Sequence, residues 1–115
     1  MGAHILDFPV WAYELGQPLQ IQTRLSPWCC TLKGSTVTYP VASMTTYVFD
    51  HPAGGDLTLT WYDGGLRPPT PAEAPADFAL NPDGGGIVVG ERGKLVYGTY
   101  GRNPQLLSAT ENLEA

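Results

Sequence analysis

The stretch Gly2-Ala-His-Ile-Leu-Asp-Phe-Pro-Val-Trp-Ala-Tyr-Glu-Leu15 is the part of the sequence with the apolar spacing of a substantial helix. At about 100° per residue, its apolar side chains fall on one stripe and on the flanks of that stripe. This pattern predicts a helix that is covered on most of its sides. The stripe contains Ile5, Phe8, Ala12 and Leu15, and Leu6, Val10 and Tyr13 extend it.

Glycine and proline indicate where this helix ends. Gly16 is followed by Gln17 and Pro18. Because glycine accepts the left-handed C-cap conformation and proline cannot continue a helix, we expect the helix to end at Leu15. Pro9 lacks a backbone donor, so the helix either kinks there or begins near Asp7, whose carboxylate would cap its first turn.

A polar wedge remains on the helix surface, formed by His4, Asp7, Trp11 and Glu14. His4 and Asp7 are three residues apart, so their side chains can meet and act as an acid–base pair. A structural histidine satisfied by a nearby carboxylate has the same spacing and is the commoner arrangement. The spacing leaves both interpretations open.

The rest of the chain has the pattern of strands and turns, with strands expected at residues 19–25, 36–39, 44–49, 57–62, 87–89 and 94–100. Alternating polarity predicts that the first has one buried and one solvated face. The third and fourth are expected to form one hairpin, and the last two another. The proline-rich residues 67–75 should be neither helix nor central strand. We therefore predict an α+β fold, with one N-terminal helix packed on an open, mainly antiparallel sheet of five or six strands.

The composition limits the classes of function. A chain of 115 residues is the size of a single domain, here residues 1–115, and can bury about two thirds of its unfolded surface. With 14 Gly, 11 Pro and only 15% charged residues, it is typical of a turn-rich β structure with a rather apolar surface. A net charge of −5 would repel the phosphates of a nucleic acid, so we expect no nucleic-acid binding.

Cysteines and apolar runs bear on the compartment. Cys29 and Cys30 are adjacent, and a disulfide between neighbours is strained, so we expect reduced thiols. No apolar run approaches the ~20 residues of a membrane span, and the first residues lack the basic and apolar regions of a signal peptide. We therefore expect a bacterial-type cytoplasmic protein without a membrane anchor.

Two motifs that suggest ligands have simpler explanations. His51 lies in the loop of the first predicted hairpin, with no second His and no Cys at metal-ligand spacing, so we expect no metal site. The run Asp83-Gly-Gly-Gly86 opens no helix and matches neither the dinucleotide fingerprint nor a P-loop. It is better explained as the turn before the second hairpin.

Several motifs occur together in an order that resembles a known family. They are Gly2-Ala-His-Ile-Leu-Asp7, Tyr39-Pro-Val-Ala-Ser43, Leu59-Thr-Trp-Tyr-Asp-Gly-Gly65, Gly85-Gly-Ile-Val-Val-Gly-Glu-Arg-Gly-Lys-Leu95 and Tyr100-Gly-Arg-Asn-Pro-Gln-Leu106. Together they cover nearly all of the chain. They resemble the C-terminal domain of the glucose-fructose oxidoreductase, inositol dehydrogenase and rhizopine-catabolism oxidoreductase (Gfo/Idh/MocA) family.

The resemblance implies a division of labour. Members of that family join an N-terminal Rossmann domain, which binds NAD or NADP, to a C-terminal domain with a large open sheet. The sequence shows no cofactor-binding domain, so we expect no cofactor binding by the isolated chain. The family places an Asp-x-x-x-His pair at the start of this helix, where the histidine transfers a proton to or from the substrate hydroxyl. His4 matches that histidine, but the aspartate would fall one position before Met1, and Asp7 matches a family aspartate in type only.

Three functions follow as hypotheses. The chain is a substrate-side and oligomerising C-terminal domain without chemistry of its own, which we favour. Alternatively it is half of a split oxidoreductase, in which a separate Rossmann chain restores the acid–base role of His4. The third hypothesis is an interaction or regulatory protein that retains only the fold.

Self-association is expected through the sheet. The predicted strands 57–62 and 94–100 place large side chains on both alternating sets, and one helix covers only one sheet face. The uncovered side chains would form an apolar patch of the kind that marks an interface, and family members pack these sheets face to face. The predicted interface residues are Tyr47, Trp61, Tyr62 and Tyr97.

Overall fold

The computed structural model describes residues 2–26, 31–32, 35–36 and 40–107. Its helix, α1 (Gly2–Ala12), precedes antiparallel strands, so the α+β class predicted from the sequence is confirmed. The strands are β1 (Gln20–Leu25), β2 (Thr31–Leu32), β3 (Ser35–Thr36), β4 (Ser43–Asp50), β5 (Asp56–Asp63), β6 (Gly85–Gly90), β7 (Gly93–Gly98) and β8 (Gln105–Leu107).

The strands form separate sheets, so the prediction of one open sheet is wrong. Within the described ranges, the sheet orders are β1-β4-β5, β2-β3 and β6-β7-β8. β1 pairs with β4 across the intervening β2 and β3, whereas each of the other pairs joins strands that are consecutive in sequence. Residues 64–84 between β5 and β6 contain no strand. That connection includes the proline-rich residues 67–75, which are neither helix nor strand as predicted, because proline cannot donate to a ladder.

The chain divides into two compact units. Met1–Glu14 and Thr70–Ala115 form the first unit, which contains α1 and the β6-β7-β8 sheet. Leu15–Pro69 form the second unit, which contains the β1-β4-β5 sheet. Both predicted hairpins are present, as β4–β5 and β6–β7.

Helix α1 begins at Gly2, as the predicted stretch does, but it ends earlier than predicted. It continues through Pro9, so the alternative start near Asp7 is excluded and Asp7 does not cap its first turn. It ends at Ala12, because Glu14 has the left-handed φ of 50° that we assigned to Gly16. Tyr13 donates its N–H to the Pro9 carbonyl (3.0 Å) in the last helical bond. At 11 residues α1 is too short to cross a membrane, and no other helix of the described ranges is long and apolar enough.

The helix is covered on one side only, and not on most sides as predicted. Its buried residues are Ile5 and Pro9, and Phe8 is half-buried. Ala12, predicted to lie in the buried stripe, is exposed, and so is Val10. The wedge residues His4, Asp7 and Trp11 are exposed as well.

The core of the first unit forms where α1 meets strand β7. Tyr97 of β7 and Ile5 of α1 are 5% and 6% exposed. The rings of Phe8 and Tyr97 lie 4.6 Å apart between centroids. After β7 the chain turns at Thr99–Gly101, and Gly101 has a φ of 71° where a Cβ would lie 3.0 Å from the Phe8 ring. Glycine at this turn therefore lets Phe8 approach the backbone closely.

One ion pair connects the proline-rich segment to the sheet in the first unit. Lys94 Nζ donates to Glu73 Oε2 at 2.5 Å, and both side chains are about three quarters covered. The hydrogen bond from Lys94 lowers the pKa of Glu73 below its ordinary value of 4.5. Pro71 beside this pair is buried. The segment is thus held against β7 although it contributes no strand.

The sheet of the second unit has one apolar and one polar face. Residues that pair across the strands share a face, and the row Ile21, Tyr47 and Leu59 lies on the apolar one. On the polar face, Thr46 and Thr60 lie within hydrogen-bonding distance (3.4 Å between hydroxyl oxygens). Phe49 is buried on the apolar face, but all six residues of β1 are exposed. The first strand is therefore present as predicted, but the prediction that one of its faces is buried is wrong.

Two sequence predictions fall where little is described. Cys29 and Cys30 lie outside the described residues. The short strand predicted at residues 36–39 overlaps β3 only at Thr36, and residues 37–39 are likewise outside the described ranges.

Candidate functional site

A shallow, open groove lies on the exposed side of α1; it has a volume of about 230 Å³ and is lined by Asp7, Phe8, Trp11 and Tyr100. Asp7 and Trp11 are four residues apart, so the helix places them one turn apart on the same face. Tyr100 comes from the turn after β7, which contacts α1. The helix supplies one wall of the groove and the turn supplies the other.

The backbone of the turn positions Tyr100. Its φ of 61° is left-handed, an uncommon conformation for a residue with a side chain. Tyr100 therefore leaves the β-ladder, which ends at Gly98, and its side chain is 60% exposed. The strand predicted at residues 94–100 includes Tyr100, but β7 ends at Gly98, so the predicted end of that strand is wrong. Gly101 directly after it was the signal of a turn.

Two basic residues contact the Tyr100 ring without lining the groove. The guanidinium carbon of Arg102 lies 5.4 Å from the ring centroid, within the range of a cation–π interaction. The His4 imidazole contacts the ring edge-on, with 5.0 Å between centroids. Neither residue was connected with Tyr100 from the sequence. These contacts hold the ring at the edge of the groove.

The groove combines large aromatic surfaces with one acid. Trp11 is 77% exposed and Tyr100 is 60% exposed, so both rings are available to a ligand. Asp7 is exposed and supplies the carboxylate of the lining. An aromatic face packs against the C–H side of a flat ligand, and a carboxylate accepts hydrogen bonds from hydroxyl or ammonium groups. The lining suits a ligand that has an apolar face and a hydroxyl or ammonium group.

His4 and Asp7 do not form the pair that their spacing allows. His4 is exposed and contacts Tyr100, and in the described part of the chain no hydrogen bond joins its ring to Asp7. The interpretation of His4 as a structural histidine satisfied by the Asp7 carboxylate is therefore wrong as well. The geometry leaves the imidazole accessible near the start of α1 and the Asp7 carboxylate directed to the groove lining.

The predicted interface residues do not share one surface. Tyr47 and Trp61 lie on the apolar face of the β1-β4-β5 sheet, where Tyr47 stacks on Phe49 (6.4 Å between centroids). Tyr62, the next residue after Trp61, lies on the opposite face. Tyr97 is buried beside Phe8 in the other unit. Tyr47 and Trp61 are thus the two that share a face.

A bound metal ion requires a cluster of ligating side chains. The described ranges contain no group of three or more His, Cys, Asp or Glu side chains that could hold a metal ion. His51 lies in the β4–β5 loop, where its Nδ1 accepts the N–H of Ala53 at 3.2 Å. This bond belongs to the loop that closes the hairpin.

Comparison with known proteins finds no family model that matches the chain and no curated protein with significant sequence similarity to it. The resemblance to the Gfo/Idh/MocA family consequently rests on the motifs quoted from the sequence.

Proposed function

We propose that this chain is a substrate-side, self-associating domain of a Gfo/Idh/MocA-like oxidoreductase, without catalytic activity in isolation. The observation that carries the proposal is the groove lined by Asp7, Phe8, Trp11 and Tyr100. Its aromatic walls and its carboxylate suit a sugar or cyclitol, the substrate class that the family resemblance suggests. NAD or NADP would be bound by a separate Rossmann domain and not by this chain.

The proposed ligand would stack on Trp11 and Tyr100 through its C–H faces while its hydroxyls donate to Asp7. Because the site is exposed, it buries little of a ligand. We therefore expect a dissociation constant of about 1 mM, which corresponds to a binding free energy of roughly 4 kcal/mol. His4 does not line the groove but contacts Tyr100, which does, so a proton-transfer role for its imidazole would require a substrate that extends beyond the groove lining.

Saturation-transfer NMR with myo-inositol and with glucose tests this proposal. We expect signal transfer to the polyol protons, lost in Trp11→Ala and reduced in Asp7→Asn. Trp61→Phe is the matched control, because Trp61 belongs to the other unit and should leave transfer unchanged. No transfer to either polyol, or equal transfer in Trp11→Ala, would overturn the proposal.

A split oxidoreductase is the second candidate function, favoured by the accessibility of His4. An imidazole that is exposed and not paired with Asp7 is free to face a cofactor and substrate supplied by another chain. The test mixes this chain with a purified Rossmann-domain chain, NAD and myo-inositol, and follows NADH formation. Activity that needs both chains and disappears in His4→Ala would support the split enzyme. An interaction protein that retains only the fold would show neither polyol binding nor activity.

Self-association is the second part of the proposal. On the apolar face of the β1-β4-β5 sheet Phe49 is buried, but Ile21 and Leu25 of β1 are more than half exposed. A second copy of the chain that packs beside β1 would cover these two side chains. Sedimentation at micromolar concentration should then report a dimer or a larger assembly.

A further inference from the structure

We infer that strand β1 is a dimerisation edge, which pairs antiparallel with β1 of a second copy so that Thr23 faces Thr23 across the two-fold axis. The inference deepens the proposed self-association and rests on it in taking a second copy as the partner. It is independent of the polyol groove.

The exposure of β1 is the first observation. Among the strands of the described ranges, β1 is an edge of the β1-β4-β5 sheet, and every one of its six residues is exposed. Ile21 and Leu25 are 57% and 59% exposed, and Leu19 just before the strand is 68% exposed. An edge strand with an apolar side and free backbone groups is a template for another strand.

The hydrogen-bond pattern identifies the free backbone groups. Ser26 donates its N–H to the Ala42 carbonyl at 2.9 Å, in the register that pairs Leu25 with Ser43. Because N–H and C=O groups alternate in direction along a strand, the even-numbered residues of β1 point toward β4. The N–H and C=O groups of Ile21, Thr23 and Leu25 therefore point to the open edge.

The same three residues make the strand self-complementary. With Thr23 on the two-fold axis, Ile21 lies opposite Leu25 of the second copy, and about six backbone hydrogen bonds form. Gln22 lies opposite Arg24 of the second copy on the other face, so no like charges meet. The apolar rows, which include Tyr47 and Leu59 next to Ile21, become continuous across both copies. This single pairing forms backbone hydrogen bonds, brings apolar side chains together and places no like charges opposite each other.

The opposite edge of this sheet is less suited to self-pairing. Strand β5 carries Asp56 and Asp63 at its two ends, and antiparallel pairing of two copies would bring these carboxylates together. Most of its residues between them are half-buried, whereas β1 contains no acid. Charge and exposure therefore both favour β1 over β5.

A cysteine cross-link tests the register. In a Cys29→Ser, Cys30→Ser background, Thr23→Cys should form a disulfide-linked dimer on mild oxidation, because directly paired residues have Cα atoms about 5.5 Å apart. Thr58→Cys is the matched control. It is an exposed threonine of the other edge, and its backbone points outward, since His51 donates to Gly55 in the register that pairs Val48 with Thr58. It should remain monomeric on a non-reducing gel.

A proline substitution tests the pairing without a cross-link. Thr23→Pro removes an outward N–H that β4 does not use, and it also removes the hydroxyl contact from Thr23 to Thr45 (3.1 Å between oxygens). We expect the backbone ladder with β4 to survive, and circular dichroism checks this. We expect its dimer dissociation constant in sedimentation to rise about tenfold or more, while Thr58→Pro leaves it unchanged. A dimer that neither cross-links at Thr23 nor weakens in Thr23→Pro would overturn the edge inference but leave self-association standing. A monomer at all micromolar concentrations would overturn both.

Discussion

The ring of Tyr97 covers Gly86, the residue directly opposite it on the neighbouring strand. A Cβ on Gly86 would overlap the phenol ring, so glycine is what allows Tyr97 to lie flat across β6. The ring in turn protects a glycine that would otherwise weaken the strand, and Phe8 of the helix packs on it. This one pair therefore connects sheet and helix within the first unit, behind the candidate groove.

Gly86→Ala should destabilise the protein. The added methyl group has to displace the Tyr97 ring, and overpacking of this kind costs about 1–3 kcal/mol. Chemical denaturation followed by circular dichroism measures the change. Gly90→Ala on the same strand is the control, because a Cβ there would meet the Gly93 carbonyl at an ordinary 3.4 Å. Equal midpoints for the two variants would contradict the ring placement.

Phe8 and Trp11 are two aromatic residues of one helix with opposite expected effects. Phe8 is half-buried against Tyr97, so Phe8→Ala should cost roughly 2 kcal/mol, below the ~3–5 kcal/mol of a fully buried phenylalanine. Trp11 is 77% exposed, so Trp11→Ala should change stability by less than ~0.5 kcal/mol. The denaturant midpoints of the two variants measure these changes in stability. A larger loss of stability in Trp11→Ala than in Phe8→Ala would mean that α1 packs through its other face.

Tyr97 should make stability depend on alkaline pH. Burial, and secondarily the charge of Tyr13, raises the pKa of Tyr97 to about 12 from an ordinary 10.0. Above pH 10 the unfolded chain releases a proton that the folded chain keeps, so the free energy of unfolding falls between pH 10 and pH 12. The slope is about 1.4 kcal/mol per pH unit, and the contribution is fully present below pH 10.

Tyr97→Phe is the control for this pH dependence. Phenylalanine keeps the ring packed on Gly86 but cannot ionise, so the variant should lose that part of the alkaline slope. Urea unfolding at several pH values compares the two proteins. Parallel slopes for wild type and variant would show that Tyr97 titrates normally in the folded state.

The isolated chain should bind neither NAD nor NADP. Holding a dinucleotide requires a fingerprint loop at the start of a helix, and the sequence contains none. Isothermal titration calorimetry with each cofactor measures this directly. A titration of the same preparation with myo-inositol is the control that shows whether the protein binds its proposed ligand. A micromolar dissociation constant for either cofactor would contradict the proposed division between this chain and a Rossmann domain.

Local signals in the sequence determined much of the secondary structure. Alternating polarity and glycine-containing turns predicted both hairpins, and the prolines of residues 67–75 excluded a strand there, as the structure has it. These features depend on neighbours a few residues away, where periodicity and turn chemistry act directly. The helix was predicted too, but its end was misplaced, because Glu14 takes the left-handed conformation before Gly16 is reached.

The groove was decided only by tertiary structure. The sequence identified Asp7 and Trp11 as a polar wedge, but Tyr100 is 89 residues further along than Trp11 and meets the helix only through the turn after β7. Likewise, spacing allowed His4 to pair with Asp7, whereas packing placed its ring against Tyr100. Contacts between residues distant in the chain depend on how elements pack, and neither periodicity nor spacing carries that information. The sequence by itself therefore determined the elements and their turns, and the folded chain decided which side chains meet.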